Sequence, residues 1–172
     1  MARARRPGYT RPMPPEIATI GYEALPPPDF LALLREAGIR RLVDVRALAN
    51  SRRPGYAKRA LSAALEGAGI AYLHLPALGT PKEGREAVRA GRPAEMRRIY
   101  LRHLATAPAQ EALAGLAEFA RPGGVCLLCL EADPTHCHRT LIAEALGERW
   151  GFSVRHLAAA GPSGARGAPA RR

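Results

Sequence analysis

The stretch Gly124-Val-Cys-Leu-Leu-Cys-Leu-Glu131, running on into Ala132-Asp-Pro-Thr-His-Cys-His-Arg139, decides the fold. Its first half is a short, near-continuous apolar run between a glycine and an acid. Runs of this kind form strands covered on both faces, as in parallel sheets. The second half breaks the run at Asp133-Pro134, with Asp suited to cap a helix and Pro suited to its first position. Thr135 is a competing cap. A helix is expected from Thr135 to Trp150, so the segment reads as strand, loop and helix.

Outward from this segment the same alternation recurs. Ile17 to Tyr22 reads as a first strand, Pro28 to Ala37 as a helix stopped by Gly38, and Arg41 to Val45 as a second strand. Arg52 to Tyr56 is turn-like and Ala57 to Gly67 helical. Ile70 to Leu75 is a third strand closed by Pro76, and residues 76–81 read as a rigid turn. Residues 80–92 are polar and punctuated by Gly and Pro. Ala94 to Leu104 and Pro108 to Ala120 look helical, and Ser153 to Leu157 forms a short last strand. The expected class is α/β: three layers, with a mainly parallel sheet and helices on both faces. In such sheets ligands bind beyond the carboxyl ends of the strands. Those ends carry Gly21-Tyr22, Asp44-Val-Arg46, His74 with Leu78-Gly79-Thr80, and Cys129-Leu-Glu131.

Composition sets the frame. The chain has 172 residues, 47% hydrophobic and 24% charged, which suits one globular domain, expected over residues 16–157. The formal net charge is +11 and the pI about 10.7. Collagen-like, mucin-like and acidic solvating proteins are excluded. Residues 1–15 and 158–172 are basic, free of acid and rich in small or Pro residues, so both tails are expected to be disordered. No apolar run approaches the length of a membrane span, and Met1 to Pro7 does not lead into a secretory signal. The cysteines, Cys126, Cys129 and Cys137, are clustered and odd in number, unlike a disulfide framework. A reducing, cytoplasmic location is expected.

The strand ends suggest chemistry. Glu131 is a candidate general base or nucleophile, and Asp44 its partner or a sugar ligand if their strands are neighbours. Arg46, Arg52 and Arg139 are candidates to hold phosphate. His138 is a candidate for proton transfer, and Tyr56 for stacking on a base, beside Arg52, Arg53, Lys58 and Arg59. Cys129 is a candidate thiol nucleophile, although the loop lacks glycine, contains Glu131 and Asp133, and departs from the compact Cys-x5-Arg phosphatase loop. Cys137 and His74 are taken as substrate contacts. A buried network of Asp44, Arg46, Glu131 and Arg139 that merely orders the loops is the structural alternative. Cys126 and Cys129 diverge on a strand, which counts against a four-ligand metal site. No metal and no cofactor is assigned.

The motifs Thr19-Ile-Gly-Tyr22, Asp44-Val-Arg46, Ser51-Arg-Arg53 with Tyr56, Tyr72-Leu-His74 through Leu78-Gly79, and Cys129-Leu-Glu131 through Cys137-His-Arg139 occur in a characteristic order. Over residues 16–150 the chain resembles the bacterial and archaeal family called domain of unknown function 488. The resemblance implies a compact α/β domain and a cytoplasmic protein, with the Asp44–Arg46 and Cys129–Arg139 segments as signatures. It implies no particular activity. The chain departs from the family at Leu48-Ala-Asn50, where many members carry a proline, and at Thr80, where many carry a second glycine. The leading expectation is a hydrolase or group transferase acting on a nucleotide or nucleic-acid component. The alternatives are a non-catalytic nucleic-acid-binding module, and a metal or thiol-redox protein using the Cys/His cluster.

Overall fold

The computed structural model describes residues 13–158. The expectation of disordered tails concerns residues 1–12 and 159–172, outside the described residues, together with a few flanking positions. Five strands, β1 (Glu16–Gly21), β2 (Arg41–Asp44), β3 (Ala71–His74), β4 (Val125–Cys129) and β5 (Ser153–Leu157), form one sheet in the order β3-β2-β4-β1-β5. Every pairing is parallel.

Among the described residues six α-helices cover the sheet: α1 (Pro27–Glu36), α2 (Lys58–Gly67), α3 (Lys82–Arg89), α4 (Pro93–Leu104), α5 (Ala107–Ala120) and α6 (His138–Trp150). Two separate cores show how they divide. Phe30 and Leu34 of α1 and Leu61 and Leu65 of α2 pack with Leu42, Cys126 and Leu128 on one face. Tyr100 of α4, Leu113 and Leu116 of α5, and Ile142 and Leu146 of α6 pack with Val43, Val125 and Leu127 on the other. The division follows from chain direction. From β1 to β3 the chain moves toward one edge; from β3 to β5 it moves back. Right-handed crossovers then require opposite faces for the two sets of helices. The three-layer α/β class follows.

β4 lies at the centre and all five of its residues are buried, as its unbroken apolar run requires. Its neighbours β1 and β2 send their crossovers over the opposite face from the one that follows β4. Loops therefore diverge on both sides of the β4 carboxyl end, where parallel sheets form ligand clefts.

Two local expectations need correction. Residues 82–89, polar in sequence, form α3; its buried positions are only Gly84 and Ala87, so it shows no bulky apolar stripe. The helix expected to run unbroken from Thr135 to Trp150 is two pieces. Asp133 caps a 3-10 turn over Pro134–His136, accepting from the Thr135 amide at 2.8 Å. Cys137 is then extended at φ −116° and ψ 139°, and α6 starts at His138.

The tips of β1 and β4 meet closely. A Cβ on Gly21 would lie 1.7 Å from the Glu131 carbonyl oxygen and 3.0 Å from Arg139 Nη1, so only glycine lets the loop after β4 approach. Gly21→Ala is expected to lower unfolding stability by about 2 kcal/mol or more, as for overpacked sites. Gly115→Ala on α5, where an added Cβ meets nothing within 4 Å, is expected to raise it by up to about 1 kcal/mol. Urea unfolding of the two variants beside the parent checks both signs.

Candidate functional site

The strand alternation sorts the rim residues onto two faces. Asp44 follows Leu42 toward the face covered by α1 and α2, whereas Cys129 follows Leu127 toward the face covered by α4 to α6. Two polar clusters result, one on each side of the sheet.

The first is built on Asp44, which is fully buried. Arg46 grips it in a bidentate pair, with Nε donating to Oδ1 at 2.8 Å and Nη2 to Oδ2 at 2.6 Å. The Arg46 amide donates to Oδ1 at 3.1 Å, and the Tyr72 hydroxyl donates to Oδ2 at 2.7 Å. Arg46 Nη1 donates to the Tyr22 hydroxyl and to the Tyr56 carbonyl, both at 3.0 Å. Burial opposes the charge on Arg46, but the Asp44 bonds outweigh it and hold its pKa above the ordinary value. Burial, followed by the bond to Asp44, likewise raises Tyr72. His74 Nε2 lies 2.8 Å from the Arg46 carbonyl oxygen, which it can only donate to.

Tyr56 is 1% exposed. Its ring stacks on Tyr22 with centroids 4.2 Å apart, its edge meets Phe30, and its hydroxyl donates to the Leu25 carbonyl at 2.8 Å. Burial pushes its pKa up to about 12. The ring is thus enclosed by its own chain rather than presented to a base.

The second cluster lies on the opposite face. Cys129 Sγ and Cys137 Sγ donate to the same Glu131 oxygen, Oε2, at 3.0 and 3.1 Å. His138 Nε2 donates to the Val45 carbonyl at 2.9 Å, which leaves Nδ1 facing the sulfurs at 3.6 Å from Cys129 and 4.0 Å from Cys137. The Tyr100 ring packs against His138 with centroids 5.1 Å apart. Burial works against ionisation of Glu131, yet the two thiol donors and nearby His138 outweigh it and hold the carboxyl below its usual range. Burial pushes the Cys137 thiol well up. For His138 burial disfavours the charged ring, but Cys137, the Val45 carbonyl and Glu131 favour it, and the pKa rises.

Arg139 is 1% exposed and fastens the loop. Its Nη1 donates to the Glu131 carbonyl, its Nη2 to the Ala132 carbonyl at 3.1 Å, and its Nε to Thr19 Oγ1 at 3.3 Å. Its donors therefore point into the chain's own loop, away from any phosphate in the cleft. Among the described residues Asp44 and Glu131 share no side-chain partner: one is engaged by Arg46 and Tyr72, the other by the two thiols. Cys126 is buried on the Asp44 face, apart from the other two cysteines.

A cavity of about 200 Å³ opens between the clusters, with Tyr22, Arg46, Cys129, Glu131 and His138 among its lining residues. It shares Tyr22, Leu48, Asn50, Arg89 and Leu130 with a wider cleft of about 740 Å³ that also takes in Ser51, Arg52 and Arg53. Arg85 and Arg89 of α3 enter from one side. Their i, i+4 spacing was the available signal for this pair, hidden because α3 lacks a bulky apolar face.

Residues 27–146 match the family described as "Domain of unknown function DUF488". The chain belongs to this family. No curated protein and no solved structure shows a significant match. The DUF488 match spans the Asp44–Arg46 pair and the Cys129–Arg139 loop, so both clusters lie within the family domain.

Removing one partner of a buried ion pair leaves the other charge uncompensated. Asp44→Ala is expected to destabilise the domain by about 3–5 kcal/mol, against about 1 kcal/mol for Tyr72→Phe, which loses one hydrogen bond. Chemical denaturation of the two variants checks the ranking.

Proposed function

We propose that this DUF488 protein is a hydrolase or group transferase that acts on a nucleotide or another phosphate-bearing compound in the cleft above β4. One observation carries the reading: Glu131, Cys129 and His138 line the floor of a cavity whose approaches are lined by arginines. Arg52 and Arg89 have no ion-pair partner among the described residues, so their charge is available to an anion. The wider cleft has room for more of a nucleotide than its phosphate.

The roles follow from the contacts. Glu131 is the general base or nucleophile, kept ionised by its thiol donors. His138 transfers protons from a ring anchored at Val45. Cys129 stands beside Glu131 at the cavity floor. Arg52, Arg85 and Arg89 attract and orient the anionic group. Asp44 acts through Arg46, and Tyr56 through Tyr22, as positioning residues. Arg139 and Thr19 hold the Glu131 loop in place. A reducing, cytoplasmic setting accords with the three free cysteines. No helix among the described residues is long and apolar enough to cross a membrane.

A panel of nucleotides and oligonucleotides tests the reading by turnover and by binding. Glu131→Gln is expected to cut kcat on a substrate of that panel by about 10²–10⁴-fold, the range for loss of a general acid–base group. Arg89→Ala is expected to raise KM about tenfold with the fold intact. Binding that falls steeply with salt, survives Glu131→Gln and leads to no turnover would instead identify a non-catalytic nucleic-acid-binding module.

A further inference from the structure

At the end of β4, Cys129 and His138 of the proposed site converge with Cys137 as a group of sulfur and nitrogen donors. Cys129 Sγ, Cys137 Sγ and His138 Nδ1 all lie within 4.8 Å of one another, and all three residues are buried. Cys129 ends β4, while Cys137 and His138 come from the start of α6. The break between the 3-10 turn and α6 is what brings Cys137 to Cys129.

The spacing suits a tetrahedral ion. With Zn–S near 2.3 Å and Zn–N near 2.0 Å, the sulfur–nitrogen edge of such a site is about 3.5 Å. The Nδ1–sulfur distances here are 3.6 and 4.0 Å. The ring is also set correctly. A metal-binding histidine commonly donates its second N–H to a carbonyl or carboxylate, which fixes the tautomer and turns the other lone pair to the ion. His138 Nε2 does this with the Val45 carbonyl at 2.9 Å. The pair of sulfurs and one imidazole is a soft donor set, which favours zinc over magnesium or calcium.

We propose that Cys129, Cys137 and His138 form a binding site for one zinc-class divalent ion. The ion displaces the two thiol protons to solvent, and each sulfur binds as a thiolate. Glu131 Oε2 then loses its thiol donors and is released as a carboxylate at the cavity floor. Glu131 lies outside the group of three. Solvent from the cavity takes the fourth position. Approach is open, because Cys129 and His138 line the rim cavity and Cys137 lines a second pocket beside α4 and α6. The proposal stands on donor geometry and does not depend on the choice of substrate; with the ion bound, both ring nitrogens of His138 are engaged, so His138 then holds the metal in place of transferring protons.

Cobalt(II) reports on it without any assay of turnover. The full chain, reduced and stripped with a chelator, is titrated with Co²⁺, and zinc is then used to displace it. The expected result is one equivalent per chain, with thiolate-to-cobalt charge-transfer bands and the visible bands of a tetrahedral ion, both abolished by one equivalent of zinc. Cys126→Ala keeps the full spectrum. Cys129→Ser and Cys137→Ser, checked for folding by circular dichroism, each weaken or lose the charge-transfer bands and lower affinity more than tenfold. Folded parent protein that takes up no cobalt, or takes it up without a thiolate band, overturns the proposal. So does a spectrum that depends on Cys126. Failure here leaves the arginine-lined cleft and its turnover assay unaffected.

Discussion

The buried guanidinium of Arg139 holds the rim at the β1 and β4 ends together. Its donors reach the Glu131 and Ala132 carbonyls and the Thr19 hydroxyl, so one side chain of α6 joins the loop after β4 to the core of β1. Buried charge without such partners is costly, and these bonds supply them. Gly21 makes the arrangement sterically possible, because no larger residue leaves space for the Glu131 carbonyl. The loop is thereby fixed at both levels, by a glycine that admits it and an arginine that fastens it.

This fastening matters because the loop carries Glu131, the central residue of the proposed site. Glu131 is placed where the Cys129 and Cys137 thiols both reach one of its oxygens. His138 is anchored from β2 through the Val45 carbonyl, so the cluster spans two neighbouring strand ends. On the other face, Arg46 closes the Asp44 pair and also reaches Tyr22 and Tyr56. That Asp44–Arg46 cluster stabilises the cleft wall. The cavity lies between a rigid ionic support and a softer thiol–carboxylate–imidazole group. In such a site the polar groups are oriented before any ligand arrives, which lowers the reorganisation needed for chemistry.

The sequence made the architecture legible through particular residues. The apolar run of β4 announced a central parallel strand, and Gly38 and Pro76 marked element ends close to the observed ones. The strand-end rule pointed to Asp44, Arg46, Cys129 and Glu131. Three things were not legible. The small buried face of α3 concealed Arg85 and Arg89. The break at Cys137 was masked by a capping pattern that belongs to the 3-10 turn rather than to α6. Tyr56, a stacking candidate, and Arg139, a candidate both for phosphate and for a buried network, are each enclosed by contacts from distant segments.

The amino-acid sequence alone determined the α/β class, the parallel sheet and the rim on which polar side chains collect. Those features arise from periodicity and local steric preference, which act over a few neighbouring residues. Only the tertiary structure decided which polar groups meet. Asp44 and Glu131, both acids at adjacent strand ends, separate because side-chain alternation sends Asp44 to the opposite face from the Cys129 cluster that Glu131 joins. Cys129, Cys137 and His138 converge because α6 begins one turn later than its capping residues suggest. Such contacts depend on strand order and on the start of a helix, and neither is encoded in the spacing of a single motif.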